Sequence, residues 1–150
     1  MKFKLLMISL LLTGTLFAEF KVGEKLPPIS LPDQFENTLQ VESTDRLLIM
    51  AFEKDISSAI NDYLKAKPAG YLNEHHAKYI SDISAMPSLI TSMFAIPKMK
   101  KFPFSIMLIY NDLGKEFSKE KGRITVYRIK NHQIDAIEFV APNRLPALFR

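Results

Sequence analysis

The chain has 150 residues and not one cysteine. That excludes a disulfide, a thiolate zinc site, an iron–sulfur cluster, a cysteine nucleophile and a lipid-modified cysteine. Glycine is scarce as well. The five are Gly14, Gly23, Gly70, Gly114 and Gly122, and no pair has G-x-G or Walker spacing. Phosphate-cradling and dinucleotide loops therefore have no basis, and no cofactor is expected. A strong charge of one sign is missing too. The formal net charge is +4, and the first 18 residues carry Lys2 and Lys4; without them 18 basic residues face 16 acidic ones. Phosphate contacts need clustered Lys and Arg, so nucleic acid is not an expected partner. What remains is ordinary for a soluble globular protein, 47% hydrophobic and 24% charged, and long enough for one domain.

Met1 to Ala18 reads as a secretory signal peptide. Lys2 and Lys4 form a basic start, the run from Leu5 to Leu12 is the apolar centre, and Ala18 is a small residue at which a peptidase can cut. The uncharged stretch from Leu5 to Ala18 covers 14 residues. A spanning helix needs roughly 20, so no stable membrane span is expected after cleavage. A retained anchor is the competing reading, because Leu16 is bulky for its place before the cut. The expected location is the periplasm, with residues 19–150 forming a single domain. In that oxidising compartment the core has to hold without covalent staples.

The rest of the chain alternates strand and helix signals. Ile29 and Leu31 suggest a short edge strand among prolines, and Leu39 with Val41 a second one. Leu47 to Phe52 is a continuous apolar run, the pattern of a strand covered on both faces. A helix follows, with Asp55 as N-cap and Ile56, Ile60, Tyr63 and Leu64 on one face, stopped by Pro68 and Gly70. Ala77 to Ile83 is the next strand. Ser84 caps a short helix carrying Leu89, Ile90, Met93 and Phe94, which Pro97 ends. Phe104 to Tyr110 is a further strand, followed by a charged loop from Lys115 to Lys121. Arg123 to Lys130 and Gln133 to Val140 form a hairpin turning at Asn131-His132, and the tail makes one helical turn holding Leu145, Leu148 and Phe149. Strands interleaved with helices predict a central mixed sheet covered on both faces.

This order, with particular anchors, resembles the thioredoxin-like superfamily, above all its peroxiredoxin and exported thioredoxin-like branch. Val22-Gly23-Glu24-Lys25-Leu26-Pro27 and Ile29-Ser30-Leu31-Pro32-Asp33 look like the N-terminal hairpin of that branch. Arg46 to Phe52 looks like the buried strand ending in Phe before the redox motif. The resemblance implies an α/β thioredoxin-like fold with an N-terminal β-hairpin extension. It also implies a Cys-x-x-Cys starting five residues after that Phe; the chain has Ser57-Ser58-Ala59-Ile60 there. Without thiols, thiol–disulfide exchange and thiol peroxidase chemistry are impossible. The family's cis-proline precedes a later sheet strand. Gly122 stands there if that strand is Arg123 to Lys130, and Pro103 supplies the proline if it is Phe104 to Tyr110; the hairpin that follows favours the first.

Four groups of residues are candidates for function. At the family's former active-site end, Glu53, Lys54, Asp55, Ser57 and Ser58 surround a helix N-terminus, which favours anions and can activate a hydroxyl. Nucleophilic catalysis by Ser57 with Asp55 further needs a base, and His75 or His76 would have to reach it through the fold. The plain alternative is that Asp55 and Ser58 cap the helix. Glu74-His75-His76 with Asp82 is a weak metal candidate, since neighbours on a strand point to opposite faces. His132 falls at the hairpin turn and is expected to be exposed. Lys98, Lys100, Lys101, Phe102 and Pro103 form a basic loop suited to an acidic partner or anionic head groups, unless the lysines serve only solubility. Met86, Met93, Met99 and Met107 with Phe94, Phe102 and Phe104 read as core. The leading expectation is a non-enzymatic binding or accessory module whose partner is another exported or membrane protein. Hydrolytic or cofactor-dependent catalysis through Ser57, or metal binding through His75 and His76, are the alternatives.

Overall fold

The computed structural model describes residues 18–150. The expected signal segment therefore lies outside the described residues except for Ala18. Two short strands, β1 (Ser30–Pro32) and β2 (Thr38–Gln40), pair antiparallel as a separate hairpin. The main sheet has β3 (Leu47–Ala51), β4 (Ala77–Asp82), β5 (Met107–Ile109), β6 (Ile124–Lys130) and β7 (Gln133–Val140), in the order β5-β4-β3-β6-β7. β4 runs parallel to β3 and β5, while β6 runs antiparallel to both β3 and β7, so the sheet is mixed. All five residues of β3 are buried, as expected of a central strand with both faces covered.

Alternating side chains divide the core in two. Leu47, Ile49 and Ala51 face α1 (Lys54–Lys65), whose Ile56, Ile60 and Leu64 fall on one side at helical spacing. The short α2 (Tyr71–Glu74) and a 3-10 helix, Pro142–Phe149, close the same layer. Leu48 and Met50 face the opposite side, against Ile29, Leu31 and Val41 of the N-terminal hairpin and Phe117, just beyond a 3-10 helix at Asp112–Glu116. Helical segments thus cover both faces. Among the described residues, every element lies between Ser30 and Phe149, and the buried hydrophobic residues run from Phe20 to Leu145.

The remaining differences from the sequence reading have local causes. α1 has Glu53 as its N-cap, and Asp55 sits inside the first turn, where its charge complements the helix dipole. α3 starts after Pro87 instead of at Ser84. It runs as α-helix over Ser88–Ile90, widens to a π-turn over Thr91–Ala95, and resumes over Ile96–Met99. Pro97 therefore lies within a helix that was expected to end there. Proline offers no N–H to the turn before it and its ring crowds that turn; the wider π-turn makes room. The expected strand Phe104 to Tyr110 contracts to Met107–Ile109, because Gln34 claims the preceding backbone. The fully buried Gln34 amide donates to Phe104 O at 2.7 Å and accepts from Ile106 N at 2.8 Å. Asn131 and His132 both take positive φ, 50° and 66°, the backbone a tight two-residue hairpin turn needs.

Candidate functional site

Parallel β3 and β4 end at the same edge of the sheet, and the chain there turns into loops. β3 hands over Phe52 and Glu53, and β4 hands over Asp82, Ser84 and Ala85. Opposite them runs the segment 115–121, with Lys115, Lys119, Glu120 and Lys121. Between these walls is a cleft of about 430 Å³. Clefts at the carboxyl ends of strands are where open α/β sheets place their ligands.

The cleft is built rigidly. Glu53 Oε2 accepts from Gly122 N at 2.6 Å, a charge-assisted bond that joins the start of α1 to the lysine-rich segment. Lys119 Nζ sits 4.8 Å from the centre of the Phe52 ring, within cation–π reach. The fully buried Phe117 anchors the segment from below, edge-on to Phe20 at 5.0 Å and to Tyr127 at 5.3 Å. Tyr127 Oη accepts from Ser118 N at 2.8 Å, and burial holds this phenol above its ordinary pKa. On the other wall, Asp82 Oδ1 accepts from Ser84 N at 2.9 Å. Gly114 passes so close that a Cβ there would fall on the Asp82 carboxylate. Lys115 also bridges Asp112 at 3.0 Å. The cleft thus offers charges of both signs over an aromatic floor.

Of the five residues expected at the helix tip, Glu53 lines the cleft, and Lys54 and Asp55 are exposed in the first turn beside it. Ser57 lies further into α1 and its Oγ donates back to Lys54 O at 2.9 Å; Ser58 is exposed. Ile60, the second position of the implied Cys-x-x-Cys, is fully buried. The stretch Ser57–Ile60 is therefore helix body, and the tip is Glu53 with its two neighbours. Gly122 precedes β6, the antiparallel neighbour of β3, which agrees with the first of the two proline alignments.

The histidines do not join this end. His75 and His76 precede β4, whose start pairs with the start of β3, so they lie at the opposite edge of the sheet from the tip of α1. No Ser57–Asp55–His constellation forms. His75 Nδ1 bonds Tyr71 O at 2.8 Å and its ring packs on Tyr71 and Phe149, whereas His76 is exposed at φ 50°. Among the described residues no group of three or more His, Asp or Glu is placed to hold a metal ion. His132 is half-buried, not exposed, and lines a groove beside the N-terminal hairpin.

The expected basic loop starts on a helix and is a loop only from Lys100 onward. Lys98 belongs to α3, and Met99 and Phe102 are buried, Phe102 stacked on Phe104 at 5.2 Å. Lys100, Lys101 and Pro103 remain exposed. Conversely, Met93 and Phe94, expected in the core, are 58% and 63% exposed. Sequence reasoning missed the cleft's second wall. The charged run Lys115 to Lys121 was its visible signal, but only the fold brings it against Glu53.

No family model matches the chain, and no curated protein does. Solved structures do. A peroxidoxin from Mycobacterium tuberculosis superposes with a TM-score of 0.56 at 14% identity, covering 87% of this chain and 95% of that one. The thioredoxin domain of a thiol-disulfide oxidoreductase from Bacteroides vulgatus gives 0.55 at 13%, covering 88% and 100%. A putative thiol:disulfide interchange protein DsbE from Chlorobium tepidum gives 0.52 at 13%, covering 87% and 94%. The fold is thioredoxin-like, and this chain has it without cysteine.

Proposed function

We propose that the chain is an exported, non-redox binding module that presents the carboxyl end of its sheet to another exported or membrane protein. The observation that carries this reading is the cleft between Glu53, Asp82 and the lysine-rich segment: preformed, cross-braced by the Glu53–Gly122 bond, and without a thiol. Removing thiols from such a fold removes the electron chemistry and keeps the concave surface. The N-terminal basic and apolar segment supports export. Among the described residues no helix is long and apolar enough to cross a membrane.

Two measurements test the proposal. Fractionation with N-terminal sequencing should find the chain outside the inner membrane with Glu19 first; a chain beginning at Met1 in the cytoplasm contradicts export. A photoreactive residue in place of Ala85, on the cleft wall, should give one discrete protein adduct in cells. The same residue in place of Asp135, exposed on β7, should give none. Equal labelling from both positions, or none from Ala85, refutes the binding surface.

A further inference from the structure

The apolar side chains of α3 are on the wrong side for a core. Leu89 is 65% exposed, Met93 58%, Phe94 63% and Ile90 43%. Helical spacing puts them on one half of the helix, while Ala95, Ile96 and Met99 turn inward to the core. Scattered exposed apolar residues need no explanation, but four on one face of one helix do. The same helix carries Lys98 in its last turn, and Lys100 and Lys101 follow in the turn after it, all exposed. No acidic residue occurs between Asp82 and Asp112. The Lys98 charge is felt by Asp62 of α1, but Asp62 is already bridged to Lys65 at 2.8 Å. Glu36 shares a groove with Lys100 and forms no ion pair with it.

We propose that this face of α3 docks on an anionic lipid surface, with Leu89, Ile90, Met93 and Phe94 entering the interface and the three lysines meeting the head groups. An exposed apolar stripe next to cations, with no acid on the element, is the pattern of a helix lying in a membrane interface. The helix is held to do so as one rigid piece. Met99 and Phe102 are sunk in the core, and the buried Gln34 amide reaches Met99 O at 3.3 Å, so the lysines are presented from a fixed base. This inference concerns a different surface and a different partner from the cleft, and it stands or falls separately.

The chain has no tryptophan, so a single one reports its own surroundings. In the full chain, Phe94→Trp should shift its emission to the blue on vesicles of phosphatidylglycerol and phosphatidylethanolamine, and not on phosphatidylcholine alone. Asp135→Trp, on the far edge strand, should stay unshifted, which separates docking by α3 from insertion of the N-terminal segment. Changing Lys98, Lys100 and Lys101 to Gln should weaken partitioning of the Phe94→Trp protein roughly a hundredfold, about fivefold per lysine. Met93→Trp gives the same readout should Phe94→Trp misfold. No shift on the anionic vesicles overturns the proposal, and so does an equal shift on phosphatidylcholine. A shift that grows with protein concentration without lipid assigns the face to a second copy and overturns it as well.

Discussion

The two ends of the sheet solve opposite problems. At the amino end the gap is filled with rings: Phe149 lies 5.7 Å from Tyr63, 5.0 Å from Tyr71 and 5.2 Å from His75. Lys67 sits 4.7 Å above Tyr63, and the two tyrosine hydroxyls meet at 2.9 Å. The closing 3-10 helix inserts Leu145 into the same core. At the carboxyl end, charged side chains and loop backbone surround an open cleft. Aromatic and aliphatic burial is the main source of stability, whereas exposed polar groups contribute little to it and are available to a partner. The difference is that the amino edge is closed by packed rings, whereas the carboxyl edge leaves charged groups around an open cleft, where the proposed partner would bind.

The largest expected effect comes from breaking the amino end. Leu145→Ala, at a side chain only 1% exposed, should cost about 3 kcal/mol and lower the melting temperature by roughly 10 °C. A calorimetric scan measures it, and a shift of a degree or two would show that the C-terminal helix is dispensable. At the carboxyl end the corresponding test is Gly114→Ala. Its Cβ displaces the Asp82 carboxylate and breaks the bond from Ser84 N, so the variant should lose about 1–2 kcal/mol in urea unfolding. A variant as stable as the parent would mean that Asp82 is not fixed.

Alkaline pH sharpens the contrast more gently. Burial, then the hydrogen bond with Tyr63, pushes the Tyr71 hydroxyl up to about 12. An unfolded tyrosine titrates near ~10. The folded phenol holds its proton more tightly, so this contribution is complete below about pH 10 and is lost as pH rises toward 12. Urea midpoints should decline across that window, and Tyr71→Phe should flatten the decline. An unchanged slope in Tyr71→Phe would remove the aromatic end as its source.

Much of the fold was legible because it rests on burial pattern. The apolar run of β3, the 3.6-residue stripe of α1 and the Asn-His turn each announce their state locally. What was illegible depends on tertiary contacts. No local signal shows that Gln34 takes over the backbone before β5, or that a π-turn lets α3 pass through Pro97. The sign of exposure along α3 was also hidden: Met93 and Met99 carry the same apolar residue, yet one is 58% and the other 9% exposed. At the site, Glu53 was identified from the strand that delivers it. Asp82 and the lysine-rich segment were not, because their approach to Glu53 is set by the pairing of β4 and β6 with β3.

The proposed binding at the carboxyl end, set against packing at the amino end, is tested most directly by crosslinking and melting the same variants. With the photoreactive residue at Ala85, Lys119→Glu should abolish the adduct and leave the melting temperature within about 2 °C, as expected of an exposed charge. Leu145→Ala should lower the melting temperature and keep the adduct at temperatures where the protein stays folded. An adduct indifferent to Lys119→Glu, or one lost in folded Leu145→Ala, would contradict the account.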